Sequence, residues 1–164
     1  MDAMNVFTSP VPLPGPDAVA PEIYREIYPM PMFTIVPTED LEVSKDFWIR
    51  GLGFIDLFTA PGQVTHLRRW AFQDVLLVPG QAPAKAPGLA TSFSCVLSQI
   101  DEIAARCEEL RPGCTTEPEI KPWNSLELTV ITPENSRVVM TAARPHDAES
   151  TERLRAMGIV VPAD

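Results

Sequence analysis

Side chains that carry chemistry are scarce in this chain. Two histidines, His66 and His146, and three cysteines, Cys95, Cys107 and Cys114, stand among 164 residues. No His-Glu pair sits at the spacing that turns two zinc ligands onto one helix face, and the cysteines lack the paired spacing of a metal finger. There is no Gly-x-Ser-x-Gly elbow and no phosphate loop. Proton transfer would then fall to a carboxylate such as Asp74 or Glu127, and no motif supports either. His146, in an Arg-Pro-His-Asp link, reads as a surface or cap residue. Aromatic rings are the remaining resource. Trp70, Phe72, Phe93 and Trp123 offer large, stiff surfaces that stack on flat ligands. Phe93, like Phe47, Trp48 and Phe54, also has partners nearby in the pattern for ordinary core packing; Trp70 suits either use.

The elements that must position these groups begin with residues 32–58, MFTIVPTEDLEVSKDFWIRGLGFIDLF. Phe33, Ile35 and Val36 read as a short strand broken by Pro-Thr-Glu-Asp. Asp40 caps a helix whose apolar Leu41, Val43, Phe47 and Trp48 fall near helical spacing, with Gly51 as the stop. A second strand starts at Gly53. Val64 to Phe72 reads as a third, with His66, Arg68, Trp70 and Phe72 on one face. His66 then lies near a strand start, in solvent, and Asp74 at the turn before the fourth strand, Val75 to Val78. Gln81 to Gly88 is a linker by composition. The pattern then restarts. Phe93 to Leu97 is a strand, and Asp101 begins a helix striped by Ile103, Ala104, Cys107 and Leu110. Glu117 to Ile120, Leu126 to Val130 and Arg137 to Ala142 are the remaining strands, with a Thr-Pro-Glu-Asn-Ser turn before the last. The order of elements is therefore an internal duplication. The segment before it carries Pro10, Pro12, Pro14, Pro16, Pro21 and Pro29, a density that forbids a continuous helix and makes an arm. Ile23, Tyr24, Ile27 and Tyr28 suit a helical turn or a strand docked on the body or on a second subunit. Asp147 to Met157 reads as a surface helix stopped by Gly158.

The lead-in Glu39-Asp40-Leu41-Glu42-Val43-Ser44, the pair Phe47-Trp48 and the run Gly51-Leu52-Gly53-Phe54 resemble the opening module of the vicinal oxygen chelate superfamily. Glyoxalase I, extradiol dioxygenases, fosfomycin-resistance proteins and bleomycin-binding proteins belong to that group. Pro122-Trp123-Asn124 and Thr132-Pro133-Glu134-Asn135 resemble, in degraded form, its Trp-Gly and Asp-Pro-Asp-Gly-Asn signatures. The resemblance spans residues 32–143. It implies an α+β fold of two βαβββ modules whose mixed sheet curls around a cleft. The expected bounds are an arm over 1–31, modules over 32–80 and 90–143, a linker over 81–89, and a C-terminal helix and tail over 144–164.

Enzymes of this superfamily hold a divalent ion with ligands on the first and last strands of each module. The resemblance puts Phe33, Leu76, Cys95 and Val139 at those places. Three hydrocarbons and a thiol do not replace the water shell of a hard or borderline cation. Two other arrangements are open, a shifted register that brings in Asp74, and an irregular site in which His66 or Glu127 joins Cys95; a turn, a solvated ring and a cross-strand pair are the plainer uses of Asp74, His66 and Glu127. No metal or other cofactor is expected. The resemblance instead implies a greasy cleft, with Phe33, Trp70, Phe72, Leu76, Phe93, Cys95, Trp123 and Val139 as ligand contacts, Trp123 standing where bleomycin-binding relatives place a similar ring.

A net charge of −9 disfavours nucleic acid, whose recognition needs clustered Lys and Arg. It would draw a cationic ligand, or simply keep the protein dissolved. No apolar run spans a bilayer and no secretion signal is recognisable, so the expected setting is the cytoplasm. An odd count of cysteines favours reduced thiols. The expected role is capture of an aromatic or cationic antibiotic or metabolite by a homodimer, with no catalytic residue. The alternative is a lyase, isomerase or dioxygenase-like enzyme of the same superfamily with displaced ligands. A third reading is a regulatory dimer whose cleft is filled by its own side chains.

Overall fold

The computed structural model describes residues 9–30 and 32–161. Residues 1–8 of the expected arm, Pro31, and the last three residues of the expected tail lie outside them. Strand β1 (Thr34–Thr38) runs through Pro37 and leads to Asp40, whose carboxylate accepts from the amides of Glu42 and Val43 and caps α1 (Leu41–Asp46). The helix then widens into a π turn, Phe47–Gly51, which turns Phe47, Trp48 and Gly51 together into the interior. Gly51 is required by closeness: a Cβ there would meet Cys107 Sγ at 3.1 Å. Gly53 takes the left-handed φ of 78° that reverses the chain into β2 (Ile55–Ala60). Strands β3 (Val64–Arg68) and β4 (Asp74–Pro79) complete a sheet of order β1-β4-β3-β2, with β1 parallel to β4 and the rest antiparallel.

The second module repeats this. Strand β5 (Thr91–Cys95) precedes a 3₁₀ turn and α2 (Ile100–Leu110), and β6 (Glu119–Ile120), β7 (Ser125–Ile131) and β8 (Arg137–Ala143) form a sheet of order β5-β8-β7-β6. Strand β5 is parallel to β8, as β1 is to β4. The α+β fold of two βαβββ modules is the one expected. The helix-side faces of both sheets meet around one core in which Trp48, Phe54 and Phe93 pack edge to face, with centroids 5.0–6.0 Å apart. Helix α3 (Ala148–Ala156) follows, capped by Asp147, which accepts from the Ser150 amide at 2.7 Å. No helix of the described residues is long and apolar enough to cross a membrane.

Three local expectations are corrected. Strand β3 ends at Arg68, so Trp70 and Phe72 do not continue its face: residues 69–73 form a turn that buries Arg69 and Trp70 and holds Phe72 at a φ of 64°. The Arg69 guanidinium explains the break. It reaches the carbonyls of Leu52 and Ser94 and the Gln99 amide oxygen, tying the two modules together. Helix α2 begins at Ile100 after Gln99, leaving Asp101 in the first turn instead of at the cap. The arm between residues 9 and 30 forms neither helix nor strand. It docks through Tyr24 and Tyr28 as described below.

Candidate functional site

The face of each sheet turned away from the helices is where a ligand would meet the strands, and the two faces differ. In the first module, the register aligns Phe58, His66, Leu76 and Ile35 in one row across four strands. Phe33, Ile35 and Phe58 are 40%, 64% and 52% exposed, so this row presents hydrocarbon to solvent. In the second, the corresponding row is Ser94, Thr141, Glu127 and Glu119, with Ser92 and Val139 alongside. Trp123, half exposed, donates from Nε1 to Glu127 Oε1 at 2.8 Å, and the Ser125 hydroxyl donates to the same oxygen at 2.7 Å.

Beside the first row, and sharing His66 with it, lies an ionic cluster that sequence patterning missed. Asp74 is not a turn residue but the buried first residue of β4, and His66 is not solvated. Arg68 grips both Asp74 oxygens at 2.8 Å, and His66 Nε2 meets Asp74 Oδ2 at 2.6 Å. His66 and Arg68 are two residues apart on β3, hence on one face, and Asp74 lies opposite Arg68 across the β3–β4 pair. That spacing was the available signal; only the pairing register makes it a cluster. The Phe33 ring lies edge-on to His66 at 5.7 Å.

The arm closes over this cluster. Arg68 Nη1 donates to the carbonyls of Tyr24 and Glu26 at 2.9 and 2.7 Å, and the Tyr28 ring lies 4.3 Å from the guanidinium carbon. The Tyr28 hydroxyl accepts from the Phe72 amide at 2.6 Å, and the two rings pack edge to face. Part of the first module's open face is therefore covered by the chain itself.

Of the eight residues expected to contact a ligand, Phe33, Leu76 and Val139 do stand on the open faces, and Phe72 and Trp123 are exposed beside them. Phe93, Cys95 and Trp70 do not. Phe93 and Cys95 share the helix-side face of β5 and belong to the core; the first-strand place open to ligand is held by Ser92 and Ser94. Trp70 is buried under the Arg69 guanidinium, 5.4 Å from its ring. Burial pushes the Cys95 thiol up to about 11 and the Arg69 guanidinium down to about 10. Glu127 and His66 belong to different modules' faces and do not meet Cys95.

These residues do not fit the divalent ion of the superfamily. The four strand places offer Phe33 or Ile35, Leu76, Ser92 or Ser94, and Val139, with no carboxylate or imidazole among them. The nearby His66 and Asp74 supply two donors, and the Arg68 guanidinium already occupies the carboxylate with positive charge. Among the described residues no group of three or more His, Cys, Asp or Glu side chains is placed to hold a metal.

No family sequence model and no curated protein sequence matches this chain. Solved structures do match its fold. A fosfomycin resistance protein from Listeria monocytogenes, in complex with Mn(II) and 1S,2S-dihydroxypropylphosphonic acid, is 13% identical over 80% of this chain and 99% of its own, with a TM-score of 0.61. Lactoylglutathione lyase from Agrobacterium tumefaciens is 19% identical over 68% of this chain and 91% of its own, at 0.52. A bleomycin-binding protein in complex with bleomycin is 16% identical over 69% and 98%, at 0.50. At such identities the likeness is one of fold: the chain shares the two-module architecture of these solved structures.

Proposed function

We propose that this protein captures an aromatic or cationic small molecule, such as an antibiotic or a related metabolite, on the helix-free faces of its sheets and without a metal ion. The observation that carries the reading is the occupancy of the strand places: hydrocarbon on the first module and hydroxyls with Val139 on the second, where a metal centre would need carboxylates or imidazoles. Exposed Phe33, Phe72 and Trp123, with Leu76 and Val139, supply the stacking and apolar contact. The apolar and the polar face are unlike, so a homodimer that set one against the other would enclose a ligand with rings on one wall and Glu127 on the other. A net charge of −9 would steer a cation toward it inside the cell.

The test is a fluorescence and calorimetric titration with bleomycin and a panel of aromatic and cationic antibiotics. Trp48 and Trp70 are buried, so quenching reports Trp123. Trp123→Ala should weaken binding about tenfold, roughly 1.4 kcal/mol. Full-strength binding by that variant would put the site elsewhere, and a stoichiometric Mn, Fe, Ni or Zn in protein purified without chelator would contradict the metal-free reading. Emission unchanged by every compound would favour a dimer with a filled cleft.

One observation favours a second reading, an acid–base enzyme of the same fold. Buried Asp74 holds His66 through Nε2, and Nδ1 has no partner among the described residues. In that case His66→Gln would abolish turnover of the ligand while leaving its affinity intact.

A further inference from the structure

A second cavity lies in the seam between the modules, at the β1 edge of the first module's open face. It measures about 220 Å³ and is bounded by β1 through Ile35 and Pro37, by Val138 of β8, by the linker through Pro87 and Leu89, and by Trp48. The linker is a held wall. Asn135 Nδ2 donates to the Pro83 carbonyl and Arg137 Nε to the Pro87 carbonyl, each at 2.8 Å. Arg137 lines the cavity, and its two terminal nitrogens have no hydrogen-bond or carboxylate partner among the described residues. No Asp or Glu lines it, although the chain carries 22 acidic and 13 basic residues. A largely apolar hollow, edged by Thr34, Thr91, Asn135 and Ser136 and carrying one guanidinium with free terminal nitrogens, is complementary to an apolar tail ending in a planar anion, which Arg pairs with bidentately. At roughly 30 Å³ per displaced water the cavity holds about seven, room for a chain of about six to eight carbons.

We propose that the seam cavity binds a short apolar monocarboxylate, with Arg137 at its carboxylate and the tail against Ile35, Pro87 and Leu89. This site is independent of the one proposed above, whose ligand is aromatic or cationic.

The experiment titrates the full chain, by calorimetry and by ¹H–¹⁵N NMR, with octanoate, octanol and octylammonium. Octanoate should bind one per chain and shift the backbone amides of Ile35 and Leu89, octanol at least tenfold more weakly, and octylammonium more weakly than octanol. Arg137→Gln should reduce octanoate to the level of octanol while its spectrum elsewhere stays that of the parent protein. Equal binding of octanoate and octylammonium, undiminished octanoate binding by Arg137→Gln, or shifts confined to Trp123 would each overturn the assignment. None of those outcomes touches the antibiotic titration, which is read at Trp123 with different compounds.

Discussion

Glu134 is the place to test how the two modules are joined. It sits 3% exposed in the β7–β8 turn of the second module, yet its carboxylate is satisfied largely from the first. Oε1 accepts from Trp48 Nε1 at 2.8 Å and from the Thr132 hydroxyl at 2.6 Å; Oε2 accepts from the Ser44 hydroxyl at 2.8 Å. Among the described residues no Lys or Arg forms an ion pair with it. Glu134→Ala removes the acceptor from a fully buried indole N–H, which costs about 1–3 kcal/mol for the orphaned donor. Ser44 keeps Thr38 as a partner at 2.7 Å and Thr132 keeps the Ser136 carbonyl at 3.4 Å, so each loses less. The expected total is about 3 kcal/mol, a large share of a typical 5–15 kcal/mol stability. Glu134→Gln keeps an acceptor for Trp48 and lets Ser44 accept while donating to Thr38, so about 1 kcal/mol is expected. Urea denaturation followed by circular dichroism gives both numbers as midpoint shifts at constant slope. The cycle with Trp48→Phe should show coupling of about 1 kcal/mol or more, since the two residues share one bond. An Ala variant within about 0.5 kcal/mol of the parent, or a Gln variant as damaging as Ala, would refute this account of the junction.

Two further outcomes follow from burial. Cys95, Cys107 and Cys114 are free and buried, and burial pushes Cys95 up to about 11, Cys107 up to about 12 and Cys114 upward as well. Because the thiolate is the nucleophile, a disulfide reagent at neutral pH should titrate none of them in native protein and three per chain in denaturant. Arg68→Gln strands Asp74 without its cation, so it should destabilise by about 3–5 kcal/mol; limited proteolysis should also cut the released arm near Tyr24 and Glu26 faster than in the parent, and an unchanged cutting rate would mean the arm is held by something else.

Much of the architecture was legible because its signals are local. Asp40 as a cap and the alternation of Leu128 and Val130 against Glu127 and Thr129 each depend on neighbours a few residues away, whereas the left-handed reversal falls at Gly53 and not at the expected stop Gly51, because the helix widens into a π turn that runs through Gly51. The site was less legible because facing obeys parity. Cys95 and Ser94 are adjacent, and one step of register moves a residue from the open face to the core. Trp70 and Phe72 extended the alternation of β3 on paper; the buried Arg69, which needs carbonyls from Leu52 and Ser94, ends the strand before them.

Taken alone, the amino-acid order determined two βαβββ modules, since periodicity, caps and turn chemistry are properties of the chain itself. Tertiary structure decided the rest. That His66, Arg68 and Asp74 form one cluster, that the carbonyls of Tyr24 and Glu26 close over it, and that Arg137 stands free at a seam all depend on strand register and on backbone groups brought together from distant segments. Backbone carbonyls are the same at every residue, so no pattern of side-chain types announces which of them a buried guanidinium will find.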